Sequence, residues 1–269
     1  MTLFTQVALA LMIGLHSLTV QANKTEVKTS QADFEKWLTK FKQDAEQQGI
    51  SKQTIKIAFK DVKLNKKVLK SDKEQPEFTQ TFFDYFNRAL SKYRIENGQK
   101  YYQEHQKLLD QVTQKYGVPG RFIVAFWGME TNYGSYTGNI PIIESLATLA
   151  YDPRRSGFFT TQLMSALTIL DKGHVQLAQM KGSWAGAMGQ VQFMPSNYLK
   201  YAVDGDGDGK INLWDSLPDA FFSAGHFLSK LGWQAQENWG REVHLPKGFN
   251  FALADNKTKR PLSEWRALG

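Results

Sequence analysis

Apolar residues recur at helical spacing along most of this chain. Phe34, Trp37, Leu38 and Phe41 share one helix face, and Gly49 supplies a stop. Ser51 is placed to cap a second helix carrying Ile55, Ala58 and Phe59. Lys63 to Gln75 is charged and reads as a solvated loop, whereas Phe82, Phe83, Tyr85, Phe86 and Leu90 predict a helix with a broad aromatic face. Gln99 to Tyr116 predicts one amphipathic helix closed by Gly117, and Ser145–Tyr151 and Phe158–Asp171 predict two more. From Gln234 the pattern changes. Trp239, Val243, Leu245, Phe249 and Phe251, mixed with Gly240, Pro246 and Gly248, predict short strands and turns. The expected fold class is mainly α, with a small irregular or β C-terminal segment.

One stretch breaks the amphipathic rule. Phe122 to Met129 is an unbroken apolar run, and Glu130 ends it. Tyr116-Gly117-Val118-Pro119 reads as the start of that helix, with Pro119 tolerated in the first turn because its missing N–H has no intrahelical partner there. A helix apolar on every face is expected to be buried. The carboxyl at its C-terminal end then meets desolvation and the negative end of the helix dipole, and both disfavour the anion. Such a glutamate can stay protonated near neutral pH and serve as a general acid. The alternative is a glutamate paired with an arginine to fix a helix end.

Leu3 to Leu18 is a short apolar stretch, and Val20-Gln21-Ala22 presents small residues suited to signal peptidase. Residues 1–22 are therefore expected to be a signal peptide, with an uncleaved anchor as the alternative. Residues 23–33 are expected to be a flexible start, residues 34–233 the main domain, and 234–269 the appended segment. The chain has no cysteine, which excludes disulfides, a cysteine-based zinc site and a lipoprotein anchor. Its net charge of +7 favours an anionic partner. No phosphate-binding loop, zinc-finger spacing or RNA-binding signature points to nucleic acid, and the five histidines lack metalloprotease spacing.

Two segments carry the candidate chemistry. The first is Trp127-Gly128-Met129-Glu130-Thr131-Asn132-Tyr133-Gly134. The second, Gly182 to Ser196, is dense in glycine and alanine, which permit close approach of a ligand or a neighbouring backbone. Ser183 and Gln192 offer neutral hydrogen bonds suited to sugar hydroxyls and amides. Together with Tyr116-Gly117-Val118-Pro119 and Asp152-Pro153-Arg154-Arg155, these segments resemble the lytic transglycosylase B family, whose lysozyme-like helical domain cleaves peptidoglycan. The resemblance runs from about Phe34 to the C-terminus.

That resemblance implies that Glu130 is the single catalytic acid and base, with Ser183 and Gln192 holding the N-acetylated sugar. It implies that Arg154 and Arg155 line the cleft and that Tyr85 adds a stacking or hydroxyl contact. Read without the family, the two arginines could bind substrate carboxylates, or one could pair with Asp152. The implied reaction is a lyase step. Glu130 protonates the oxygen between N-acetylmuramic acid and N-acetylglucosamine, then takes the proton of the muramyl C6 hydroxyl as a 1,6-anhydro ring closes. Implied partners are glycan strands of peptidoglycan and other cell-wall enzymes, and the implied location is the periplasm. The family also carries a C-terminal Tyr-Asn motif that closes the cleft. No match follows Leu213, which leaves a truncated chain or a degenerate paralogue as the two readings. A lysozyme-like hydrolase and a non-catalytic wall-binding protein are the rival functions.

A last motif is read from spacing alone. Asp204, Asp206 and Asp208 alternate with glycines, Lys210 supplies a seventh-position carbonyl, and Asp215 stands twelfth, as in an EF-hand loop. Asp219 is placed to compensate for the short Asp215. The pattern predicts a structural Ca²⁺ and no organic cofactor.

Overall fold

The computed structural model describes residues 30–74, 81–236, 240, 242–255 and 257–269. The expected leader, residues 23–29 and Trp239 lie outside the described residues. Two units are distinguished, one ending at Ala235 and one beginning at Gln236.

In the first unit Ser30 caps helix α1 (Gln31–Gln47) by accepting the Asp33 N–H, and the helix buries Phe34, Leu38, Phe41 and Ala45. Residues 31–33, expected to be flexible, are therefore its first turn. Ser51 caps α2 (Lys52–Ala58) as expected. The charged stretch after it forms α3 (Lys66–Glu74) rather than a loop, with Val68, Leu69 and Asp72 buried. Two apolar residues are too few for a periodic signal. The aromatic stretch forms α4 (Phe82–Ala89). The expected helix up to Tyr116 is two, α5 (Lys92–Glu104) and α6 (Gln106–Tyr116). They part at His105, whose ring lies among those of Tyr101, Trp127 and Phe221 at 5.8–6.2 Å.

Helices α7 (Gly120–Thr131), α8 (Ile142–Tyr151) and α9 (Ser156–Asp171) form the centre of the molecule. Helix α8 buries Ile142, Ile143 and every residue from Ser145 to Ala150, and it packs mainly on α9. Strands β1 (Ile140–Pro141) and β2 (Lys181–Gly182) pair antiparallel, Ile140 opposite Gly182. Helices α10 (Pro195–Tyr201) and α11 (Leu217–Lys230) flank the aspartate-rich loop.

Of the two readings of the C-terminal segment, irregular or β, the described residues of the second unit show the irregular one. Its described residues contain no strand, only a 3₁₀ turn (Phe251–Leu253) and helix α12 (Leu262–Ala267). Val243, Leu245 and Phe251 are exposed. Helix makes up 58% of the described residues. Among the described residues no helix is long and apolar enough to cross a membrane.

Candidate active site

Helix α7 begins after Pro119, which occupies the N-cap, and its apolar run divides into two faces. Ile123, Val124, Trp127 and Gly128 are buried, while Ala125 and Met129 are open to solvent, Met129 at 40%. The expectation of burial on every side is thus corrected. The run exceeds what its neighbours cover, and α5 leaves a groove of about 590 Å³ lined by Leu90, Arg94, Ile95, Tyr102, Met129 and Tyr133.

Glu130 occupies the last turn of α7. Part of its surface reaches solvent, but protein crowds its carboxyl, and this desolvation pushes its pKa up to about 7. Among the described residues no hydrogen bond or ion pair engages the carboxyl. The arginine-paired alternative is therefore not what this glutamate does. A carboxyl half-protonated near neutrality and free of partners can both give and receive a proton.

The backbone beyond Glu130 turns sharply. Asn132 (φ 50°), Tyr133 (φ 60°) and Gly134 (φ 75°) are all left-handed. Two consecutive non-glycine residues there are costly unless the surroundings hold them. Tyr133 is held by its hydroxyl, which donates to the Arg94 carbonyl at 2.6 Å, and by ring contacts with Tyr101 and Trp127. Gly134 is required, since a Cβ there would strike Gln190 Oε1.

The glycine- and alanine-rich segment folds onto this turn. Ser183 and Ala187 close a tight loop, the Ser183 Oγ accepting from the Ala187 N–H at 3.0 Å and the Ala187 carbonyl from the Ser183 N–H at 2.9 Å. Gln192 (φ 47°) donates its Nε2 to the carbonyls of Thr137 and Gly189, each at 3.0 Å. Gln190, which sequence reasoning passed over, makes the direct link to α7. Its Oε1 accepts from Trp127 Nε1 at 2.8 Å and its carbonyl accepts from the Thr131 hydroxyl at 2.8 Å. Pattern carries no signal for it, because its neighbours come from segments 59 and 63 residues away.

The other expected residues lie as follows. Tyr85 is 44% exposed on α4. Arg154 makes a bidentate pair with Asp152 and reaches Asp72 at 2.6 Å; Arg155 meets Asp72 at 3.4 Å. Internal pairing, the alternative reading, therefore describes Arg154, whose charge is held by Asp152 and Asp72. No hydrogen bond joins Ser183, Gln192, Tyr85 or either arginine to Glu130 among the described residues.

In the aspartate loop, ligand oxygens of Asp204, Asp206 and Asp219 lie within 4.8 Å of one another. Asp219 is 1% exposed and accepts from the N–H groups of Gly205 and Asn212 at 2.7 and 2.6 Å. Burial, with the charges of Asp206 and Asp204, raises its pKa. Asp215 instead accepts from Gln179 and Asn212 and stands outside the cluster, as does Asp208, whose carboxylate accepts the Lys210 N–H. The cluster therefore holds Asp219 and not Asp215 or Asp208.

A helical body that presents one unpaired, desolvated carboxyl at a helix end beside a glycine-rich loop is a lysozyme-like domain. The family model for the transglycosylase SLT domain matches residues 33–269, and the chain belongs to that family. It is 36% identical over 191 residues to membrane-bound lytic murein transglycosylase B of Escherichia coli (strain K12), a match covering 69% of this chain and 51% of the relative. The chain spans about half the length of that curated relative. Crystal structures of SltB3 from Pseudomonas aeruginosa with NAG-NAM-pentapeptide and with NAG-anhNAM-pentapeptide are 46% identical, with TM-scores of 0.84, covering 88% and 87% of this chain and 63% of SltB3. The Escherichia coli lytic transglycosylase SLT35 in complex with calcium is 32% identical (TM-score 0.69), covering 86% of this chain and 74% of SLT35.

Proposed function

We infer that this chain is a peptidoglycan lytic transglycosylase that cleaves the bond between N-acetylmuramic acid and N-acetylglucosamine, with Glu130 as its single acid and base. The carrying observation is the unpaired Glu130 carboxyl, desolvated to a pKa of about 7 at the end of a packed helix. The names and ligands of the relatives support the same reading. Paired-carboxylate glycosidases divide acid and base roles between two groups. Here one group takes both roles in turn. Glu130 gives its proton to the glycosidic oxygen, which leaves as the 4-hydroxyl of N-acetylglucosamine. The carboxylate then accepts the proton of the muramyl C6 hydroxyl as that oxygen bonds to the anomeric carbon. The proton count on Glu130 is restored, and no water is consumed.

Ser183, Gln192 and Tyr85 are assigned to the sugar, and the half-exposed Arg155, with the outer edge of Arg154, to substrate carboxylates. Partners of this kind belong to the cell wall, which locates the protein outside the cytoplasm, in the periplasm for an envelope of two membranes. Asp204, Asp206 and Asp219 fit a hard cation such as Ca²⁺, since three clustered carboxylates repel one another until a cation neutralises them. Bound there, the ion would brace the loop between α10 and α11, and no catalytic step passes through it.

Digestion of purified sacculi followed by mass analysis of the soluble muropeptides tests the reading. Products ending in 1,6-anhydro-muramyl residues, lighter by one water than hydrolytic products, are expected. Reducing ends alone would assign a lysozyme-like hydrolase, and no release would assign a wall-binding protein.

A further inference from the structure

The last turn of α7 is bracketed from both sides of Glu130 by one residue. Gln190 accepts the indole N–H of Trp127, three residues before the glutamate, and the hydroxyl of Thr131, immediately after it. The Thr131 oxygen in turn accepts the Gly134 N–H at 3.0 Å, so the left-handed exit is tied to the same point. Gln190 is anchored from behind. Its N–H donates to the Leu213 carbonyl at 2.7 Å and its Nε2 to the Trp214 carbonyl at 2.9 Å, while Trp214 Nε1 donates to the Lys181 carbonyl at 2.7 Å. Both side-chain amide groups and both backbone groups of Gln190 are thus engaged. A fully satisfied network of this kind removes freedom from everything it touches. Among the described residues no hydrogen bond or ion pair fixes the Glu130 carboxyl, so the angle at which it leaves the helix depends on the turn that carries it.

We propose that Gln190 is a positioning residue for the acid–base glutamate, holding Trp127 and Thr131 so that the carboxyl of Glu130 meets the scissile bond in one orientation. The proposal rests on the assignment of Glu130 given above. It requires no contact between Gln190 and substrate, and this gives it a distinctive signature. Loss of the amide lowers kcat and leaves KM nearly unchanged, because orientation of a reacting group counts in the transition state and not in binding.

The test compares Gln190→Leu and Trp127→Phe, alone and together, in the full chain on soluble uncrosslinked glycan strands, with kcat referred to folded protein. Leucine keeps the volume of glutamine without its amide; phenylalanine keeps the ring of Trp127 without the donor. Each single variant is expected to lower kcat roughly 10- to 100-fold with KM within twofold. The double variant should be no worse than the poorer single, since the link that Trp127→Phe cuts is among those that Gln190→Leu removes. Parental kcat per folded molecule in either single variant would overturn the proposal, as would a multiplicative loss in the double. Should Gln190→Leu fail to fold, Trp127→Phe decides alone. Glu130→Gln, run in parallel, separates the two readings. If it is inactive while the Gln190 and Trp127 variants are parental, only the positioning role falls; if it stays active, the acid–base assignment falls and the positioning role with it.

Discussion

Helices α7 and α8 are both apolar and both carry one glutamate, yet the two carboxyls stand in opposite surroundings. In α8 Glu144 sits in the first turn, where the helix dipole favours an anion, and accepts from Asn65 Nδ2 at 2.7 Å. Two more of its polar side chains are engaged: Ser145 donates to the Trp184 carbonyl, and Thr148 accepts the Asn65 N–H at 3.0 Å. In α7 the glutamate sits at the opposite end, against the dipole, and among the described residues no hydrogen bond or ion pair engages its carboxyl. Hydrophobicity alone makes a core. Where an apolar helix runs out of cover, a titratable group is left part-desolvated and its pKa moves, as at Glu130.

The sharpest way to break this comparison is to remove the ionisable proton from each helix. Glu130→Gln should lower glycan cleavage by roughly 10³-fold, within the usual contribution of a general acid–base, with sacculus binding retained. Glu144→Gln should leave kcat unchanged and cost about 1 kcal/mol of stability, the worth of one weakened hydrogen bond. Turnover and thermal unfolding of the two variants, measured side by side, check both halves. Equal losses of activity would erase the distinction.

The second way uses pH. The Glu130 pKa rises from 4.5 to about 7 on folding, so between these values the folded state holds a proton that the unfolded state releases. Stability attributable to this group is therefore full below pH 4.5, falls as pH rises toward 7 and levels off above it. The total is up to about 3 kcal/mol, reduced by the solvent that reaches the residue. Unfolding midpoints of the parent and Glu130→Gln should coincide near pH 4 and diverge by pH 8, with the variant the more stable. The same titration predicts that kcat/KM falls as pH rises through about 7, since the first step needs the acid form. A flat difference between parent and variant across this range would show that the carboxyl is solvated like any surface glutamate.

A third carboxylate sharpens the contrast with a smaller effect. Asp219 is more buried than Glu130, but it stands in the first turn of α11 and accepts two backbone N–H groups. Its burial is structural. Ca²⁺ should raise the melting temperature by a few degrees, corresponding to about 1–3 kcal/mol at saturating ion. Asp206→Ala should abolish that increment, while activity per folded molecule stays constant with or without chelator. Loss of turnover in a chelated protein that remains folded would move the ion from bracing to catalysis.

Much of this was legible along the chain because its causes are local. The cap at Ser51, the stop at Gly117 and the aromatic face of α4 follow from neighbours within one or two turns. The segments around Glu130, Gly182–Ser196 and Asp204–Asp215 each announce a chemistry by residue type and spacing. What tertiary structure decided is how far each expectation is realised. Neighbouring helices leave Ala125 and Met129 open to solvent and Glu130 part-buried, where the apolar run alone predicted cover on every side. Asp72, silent in a charged stretch, claims Arg154, and Asp219 rather than Asp215 completes the carboxylate cluster. Gln190 reads as one polar residue in a glycine-rich run until folding sets it against Trp127 and Thr131. Periodicity reports which face of an element seeks cover. Which partner arrives, and where cover ends, depends on contacts between segments tens of residues apart, and no local pattern encodes those.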